Sequence, residues 1–174
     1  MVTGKLDGPA GMDIILETVR TYRRKEEVVY IMIDVVGESG AAVYDALVRS
    51  SDARNMKVIV VPVDVREKAV ESDKFWNRRT EVIFGLRDWL HHGGAIPDDD
   101  YLLTELVAAT YEFDNTGRLK VKPKEKEKDI LKRSPNVRDA LALAVYRYKA
   151  NPMEIQTSSP RETVTSLARF ARGY

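Results

Sequence analysis

The 174-residue chain contains no cysteine, so it has neither disulfide bonds nor thiolate metal ligands. This absence fits a reducing compartment, and we expect a cytoplasmic protein with no membrane contact. No apolar run approaches the roughly 20 residues that a bilayer span requires, and the opening "MVTGKLDGPAGMD" lacks the apolar segment of a signal peptide. Charge is not in excess either, because the net charge is only +1. Any surface for nucleic acid must therefore be local.

The usual phosphate-binding loops are also missing. A dinucleotide loop needs three glycines in the pattern G-x-G-x-x-G, whereas "IDVVGESGAA" offers only Gly37 and Gly40 with a glutamate between them. A P-loop needs Gly-Lys-Ser/Thr, which does not occur in the chain. The sequence therefore disfavours a nucleotide site at this glycine turn.

What is present is the alternation of helices and strands that is typical of an α/β fold. Helical spacing in "MDIILETVRTYRRK" is followed by the apolar run "VVYIMID", a second helix in "AAVYDALVRSS" and a second apolar run, "KVIVVPV". Such short runs of β-branched residues predict parallel strands buried on both faces. Further along, "YEFDNTGRLKVKP" predicts a β-hairpin. We expect an irregular lead-in over residues 1–11, one domain over residues 12–150 and a tail over residues 151–174.

Two acids are candidates for metal binding. Asp34 follows an apolar strand at its carboxyl end, where open α/β sheets place their ligands. Asp139 lies near the start of the apolar helix "VRDALALAVY". Each has an ordinary alternative, because Asp34 is equally suited to a turn or cap and acids near helix N-termini favour the helix dipole. Two such carboxylates are also what Mg²⁺ or Mn²⁺ prefers in a hydrolase.

A basic stretch could contact a nucleic-acid backbone. Residues 118–133, "RLKVKPKEKEKDILKR", contain eight Lys or Arg residues and three acids. On a strand, Lys120 and Lys122 share one face, and Lys124 and Arg133 extend the positive charge. The alternative interpretation is a solvated charged surface.

The ordered motifs resemble the nuclease domain of phage terminase large subunits. They are "IMIDVVGESGAAVYDAL", then Phe75, Asn77, Arg79 and Glu81 in F-x-N-x-R-x-E, then "IPDDD" with a Leu-rich helix, the hairpin, and "RSPNVRDALALAVY". The resemblance implies an α/β, RNase H-like three-layer fold with a central mixed sheet, truncated here at its N-terminal hairpin strands. It also implies a two-metal Mg²⁺ or Mn²⁺ endonuclease that cuts concatemeric double-stranded DNA during genome packaging.

The same resemblance assigns roles to individual residues. Asp34 and Asp139 correspond to the second and third metal-binding acids of that family. Glu81 is at most a supporting residue, and we expect it on a helix surface. Asn136 is a further supporting position, where the family often has aspartate.

Two features depart from that family's pattern. Its first acid lies on a strand ahead of the first helix, and Asp7 and Asp13, the acids there, follow no apolar strand. No Walker motif is present, so we expect the packaging ATPase domain to be absent from this sequence. The resemblance implies that domain and other packaging proteins as partners. Two hypotheses stay open: a terminase nuclease domain, or a non-catalytic prophage remnant that serves as a DNA- or partner-binding assembly module. An unrelated resolvase-like nuclease is a weaker third hypothesis.

Overall fold

The computed structural model describes residues 7–24 and 27–146. They fall into two compact units, one within residues 7–64 and the other within residues 65–146. The sequence pattern predicts a single domain and does not reveal this division. Within the described residues, no helix has the length and hydropathy of a bilayer-spanning segment.

In its described residues, 7–24 and 27–64, the first unit contains three helices and a two-stranded parallel sheet. In chain order the elements are α1 (Gly8–Tyr22), β1 (Val29–Asp34), α2 (Glu38–Arg49), α3 (Ser51–Asn55) and β2 (Val58–Val63). The strands pair in parallel from Val29 opposite Val58 to Asp34 opposite Val63, as the two β-branched runs predict. β2 is more buried than β1, in which only Ile33 is fully buried. The expected burial of β1 on both faces is therefore less complete than predicted.

Helix α1 begins before residue 12, so the expected irregular lead-in is wrong for residues 8–11. Asp7 caps the helix by accepting a hydrogen bond from the backbone N–H of Ala10 at 2.8 Å. Gly8 and Gly11 are buried against α2, and a Cβ at Gly11 would lie 2.5 Å from a methyl group of Val43. These glycines therefore serve close helix packing, although their low helix propensity suggests a loop in the sequence.

The second unit contains four helices and the predicted hairpin. Its elements are α4 (Arg78–His91), α5 (Asp100–Ala108), β3 (Tyr111–Phe113), β4 (Leu119–Val121), α6 (Lys124–Leu131) and α7 (Asn136–Tyr146). The hairpin strands pair antiparallel, and Asp114 Oδ1 accepts hydrogen bonds from the backbone N–H groups of Thr116 and Arg118 across the turn. Helix α6 lies within the charged stretch of residues 118–133, for which the sequence leaves open a nucleic-acid contact or a solvated surface.

The strands do not form the single mixed sheet that the resemblance implies. Among the described residues, β1 pairs with β2 and β3 pairs with β4, which gives two separate two-stranded sheets. The hairpin strands are three residues each, and the further β-type contact is an isolated bridge between Phe75 and Leu119. The prediction of a central mixed sheet is therefore wrong for the described part of the chain.

Candidate functional site

Asp34 lies at the carboxyl end of β1, where the chain turns into α2. Its carboxylate Oδ1 accepts a hydrogen bond from the backbone N–H of Val36 at 2.9 Å, and Gly37 follows with φ +91°. A Cβ at Gly40 would lie 1.9 Å from the backbone oxygen of Asp34. The two glycines thus permit a tight turn and a close approach of α2 to the strand end, which is a structural reason for the G-x-x-G spacing.

Asp139 lies in the first turn of α7 and is held between two cations. Its Oδ2 accepts a hydrogen bond from Lys124 Nζ at 2.6 Å, and its Oδ1 accepts one from Arg138 Nη2 at 2.6 Å. Burial alone would raise the pKa of Asp139, but the hydrogen bonds and charges of Lys124 and Arg138 outweigh it and hold that pKa below its usual value. Asp139 is therefore an ionised carboxylate at neutral pH.

Asp139 belongs to a chain of five alternating charges inside the second unit. Glu127 accepts hydrogen bonds from Arg79 at 2.7 Å through Oε1 and from Arg138 at 2.8 Å through Oε2. The order from Arg79 is positive, negative, positive, negative and positive, ending at Lys124. Glu127 and Arg138 are each 1% exposed, so this alternation supplies the pairing that buried charges need.

Glu105 is a second buried acid, and it contacts Arg138 of this series of charges. Its Oε2 accepts a hydrogen bond from the backbone N–H of Arg138 at 2.7 Å, and its Oε1 pairs with Arg133. Glu105 is 0% exposed, and it follows Leu102 and precedes Ala108 at spacings of three on the buried face of α5. A charge on the apolar face of a helix is the sequence signal that could have identified Glu105.

Glu81 is not on the helix surface, so that expectation is wrong. It is 2% exposed, and its carboxylate oxygens accept hydrogen bonds from the backbone N–H groups of Val70 and Glu71 at 2.9 and 3.0 Å. The buried guanidinium of Arg78 lies 3.5 Å away. Glu81 therefore links residues 70 and 71 to helix α4. These hydrogen bonds and the Arg78 contact explain why Glu81 is buried without any ligand.

The four cations predicted to contact DNA have different surroundings. Lys120 lies 3.5 Å from Glu112 and over the ring of Trp76. Lys124 pairs with Asp139 as described above, and Arg133 pairs with Glu105. For Lys122 Nζ the structure gives no carboxylate partner among the described residues, while its backbone carbonyl accepts a hydrogen bond from Arg79. Three of the four positive charges are thus already paired within the protein.

The predicted supporting residue Asn136 is exposed at the start of α7. Within residues 7–24 and 27–146, no three His, Asp or Glu side chains cluster as a metal site would require.

The second unit contains a cavity of about 550 Å³. Apolar residues such as Leu86, Leu90 and Leu106 line it, and no carboxylate does. The cavity therefore lacks the oxygen ligands of a hard divalent cation.

Comparison with solved structures identifies the architecture. The chain has the fold of a phage terminase nuclease domain, which is RNase H-like. No protein-family model matches the sequence, and no curated protein matches it. The fold assignment therefore rests on the structural comparison.

Structures of the nuclease domain of the large terminase subunit gp2 of bacterial virus Sf6 are among those that match. A lysine-to-alanine mutant of its nuclease domain with manganese matches with a TM-score of 0.59 and 19% identity, over 78% of this chain and 72% of that one. The mutant with calcium gives 0.58 and 20% identity, over 78% and 71%. Since 78% of 174 residues is about 136, the match extends over both compact units.

Proposed function

We propose that this chain contains the metal-dependent DNA endonuclease domain of a viral or prophage terminase large subunit. The observation that carries this proposal is the structural match to terminase nuclease domains over 78% of the chain. In this function the domain cuts concatemeric double-stranded DNA during genome packaging, together with the terminase ATPase domain and other packaging proteins.

The chemistry of the candidate ligands fits Mg²⁺ or Mn²⁺. Both Asp34 and Asp139 offer hard carboxylate oxygens, and the pKa of Asp139 is lowered, which keeps it ionised. A cation, Lys124 Nζ, already lies 2.6 Å from Asp139 Oδ2. We propose Asp34 and Asp139, each considered separately, as metal ligands, which is consistent with the manganese and calcium in the gp2 structures.

Each residue then has a defined task. When bound, a divalent cation polarises the phosphodiester and lowers the pKa of a water molecule, which makes that water an effective nucleophile. Asp34 and Asp139 would each offer carboxylate oxygens to a cation, and Arg138, which donates a hydrogen bond to Asp139 Oδ1, would favour the charged form of that carboxylate. Lys120, Lys122, Lys124 and Arg133 would favour the phosphate backbone of the DNA.

A plasmid-nicking assay tests the proposal. We expect cleavage that requires Mg²⁺ or Mn²⁺ and that falls by more than about 100-fold in Asp34→Asn and in Asp139→Asn, because loss of a ligand exceeds the roughly 10–100-fold cost of outer-shell changes. Asp45→Asn is the matched control, since Asp45 is an exposed acid of α2 that lies 4.0 Å from Arg49. Cleavage that survives in Asp34→Asn, or that needs no metal, would refute the site.

The second candidate is a non-catalytic DNA-binding or assembly module. The observation that favours it is that no three metal ligands cluster within the described residues. It predicts DNA binding that weakens steeply with salt but no metal-dependent cleavage. A gel-shift series at rising salt, run beside the nicking assay, separates the two functions.

A further inference from the structure

The β3–β4 hairpin is covered by the protein along the outer edge of β4. The backbone N–H of Leu119 donates to the Lys74 carbonyl at 2.8 Å, and the Leu119 carbonyl accepts from the backbone N–H of Trp76 at 2.9 Å. The backbone N–H of Val121 donates to Thr80 Oγ1 at 3.2 Å. This side of the two-stranded sheet therefore has its hydrogen bonds satisfied within the second unit.

The outer edge of β3 has no such cover. The backbone N–H of Asp114 donates to the Arg118 carbonyl across the hairpin at 2.9 Å. Because hydrogen-bonded and non-hydrogen-bonded pairs alternate along an antiparallel ladder, the backbone groups of Tyr111 and Phe113 point away from β4. Within the residues that the structure describes, these groups have no hydrogen-bond partner. An edge of this kind is a template for a further strand.

Large apolar side chains are exposed along the same edge. Tyr111 is 53% exposed and Phe113 is 66% exposed, and their rings form an edge-to-face pair with centroids 6.2 Å apart. Tyr111 also contacts Phe84 of α4, with ring centroids 5.3 Å apart. The two exposed rings therefore lie on the hairpin face that is turned toward α4, since alternate residues of a strand share a face.

The cavity of about 550 Å³ borders β3 on this face. Thr110 and Tyr111 form part of its wall, and apolar side chains of α4 and α5, such as Leu90 and Leu106, form more of it. A strand added to β3 would turn every second side chain toward the face that carries the cavity. The edge and the cavity thus offer main-chain hydrogen bonds and a pocket for alternate side chains, the two requirements for recognition of an extended peptide.

Charge distinguishes the two faces that an added strand would meet. Arg87 and Arg138 line the cavity and no acid does, so a basic side chain is unfavourable on that face. On the opposite face Glu112 is 47% exposed, and it lies 3.5 Å from Lys120. Opposite charges placed directly across two strands stabilise the pairing. The complementary segment therefore has a basic residue between two apolar residues.

The same acid disfavours a second copy of this chain as the occupant. If two β3 strands paired antiparallel over all three residues, Tyr111 of each copy would lie opposite Phe113 of the other, and the two Glu112 side chains would face each other. Like charges directly opposite each other destabilise a sheet. The charge at the centre of the strand thus favours a different polypeptide.

We propose that β3 is a docking edge for an extended segment of a partner protein, in which a basic residue lies between two large apolar residues. The segment pairs antiparallel with β3 and exchanges hydrogen bonds with the backbone groups of Tyr111 and Phe113. Its apolar side chains cover the two rings and enter the cavity, and its basic side chain lies beside Glu112. This binding does not depend on the metal chemistry of the proposed function.

A terminally blocked, fluorescently labelled peptide of sequence Ser-Thr-Leu-Lys-Leu-Thr-Ser is a suitable probe, and fluorescence anisotropy with the full chain measures its binding. We expect saturable binding with a Kd below about 1 mM. Replacing the lysine of the peptide by glutamate should weaken binding by about three- to tenfold, and Glu112→Lys should reverse this preference. An absence of saturable binding, or the same preference in Glu112→Lys as in the wild type, would overturn the proposal.

Two substitutions of Phe113 separate the backbone from the side chain. Phe113→Pro removes the outward N–H, a loss that an edge strand tolerates, whereas Phe113→Ala removes the ring and keeps the N–H. We expect Phe113→Pro to abolish peptide binding and Phe113→Ala to weaken it severalfold. Binding by Phe113→Pro that is as strong as binding by Phe113→Ala would contradict strand addition.

Hydrogen exchange of the wild-type protein provides a measurement that needs no variant to fold. The backbone amides of Tyr111 and Phe113 should exchange more slowly when the peptide is bound, because they then donate hydrogen bonds to it. Peptide binding that leaves both amides unprotected would overturn the proposed docking edge. Protection that rises with the concentration of the protein alone would identify a second copy as the occupant, which would overturn the choice of partner.

Discussion

Replacing Gly40 with alanine tests the packing that places Asp34. Gly40 lies in the first turn of α2, and a Cβ there would lie 1.9 Å from the backbone oxygen of Asp34. Carbon–oxygen contacts normally lie at about 3.3 Å or more. The helix and the strand end would have to separate by about 1.4 Å, and the obstacle is backbone, which cannot rotate aside as a side chain can.

The expected loss of stability follows from two opposing terms. Overpacking of this kind costs about 1–3 kcal/mol, and the backbone clash places Gly40→Ala at the upper end of that range. Replacing glycine by alanine inside a helix returns about 0.5–1 kcal/mol. We therefore expect Gly40→Ala to lower the free energy of unfolding by about 2 kcal/mol and to displace Asp34 from its place at the strand end.

Guanidinium denaturation followed by far-ultraviolet circular dichroism measures the change. Gly85→Ala is the matched control, because Gly85 is buried in α4 and an added Cβ would meet no atom within 4 Å. That variant should be more stable than the wild type by up to about 1 kcal/mol. Equal or greater stability of Gly40→Ala would refute the argument that α2 approaches the strand end so closely that only glycine fits.

Two further predictions concern the second unit. Burial tends to raise the pKa of Asp114, but hydrogen bonds from Arg118 and Thr116 hold that pKa well below its usual range. Because the folded state favours the ionised carboxylate, Asp114 stabilises the fold above about pH 4, and this stabilisation is lost as the pH falls further. Asp114→Asn should therefore flatten the acid side of a plot of the free energy of unfolding against pH. An unchanged acid side would contradict this. Glu81→Ala leaves two backbone N–H groups without their acceptor and the buried guanidinium of Arg78 without its carboxylate partner, so it should lower the free energy of unfolding by about 3–5 kcal/mol. The exposed pair variant Arg49→Ala should change it by less than about 1 kcal/mol in the same denaturation series, and similar losses for both variants would count against the role of Glu81.

Local patterns predicted the elements that local physics determines. The runs over residues 28–34 and 57–63 are too short for a helix and rich in β-branched residues, and both form strands that pair in parallel. "DNTG" between alternating residues gives the hairpin, in which Asp114 supplies the hydrogen bonds of the turn. In each case the information lies within a few neighbouring residues.

The elements that the sequence did not reveal depend on distant partners. Gly8 and Gly11 are poor helix formers, and their place in α1 is explained by α2, more than thirty residues further along the chain. The burial of Glu81, Glu105 and Glu127 depends on arginines or backbone N–H groups that come from other elements. A charged residue is expected on the surface unless its partner is known, so the sequence alone predicts Glu81 on the surface.

The candidate site was only partly accessible for the same reason. Asp34 and Asp139 could be selected from their positions on a strand end and at a helix start. The contacts of Lys124 and Arg138 with separate oxygens of Asp139 could not be predicted, because Lys124 comes from α6 and Arg138 from α7. The basic stretch was read as one surface, whereas its members pair with acids on different elements.

The placement of the aromatic residues has a practical consequence for studying this protein. The chain has two tryptophans, and both Trp76 and Trp89 belong to the second unit. Indole emission thus monitors that unit alone, whereas peptide absorption monitors both. Trp76 also lies beneath Arg118 and Lys120, so a polyanion that draws these cations away should alter its fluorescence and provide a label-free signal of binding at the hairpin.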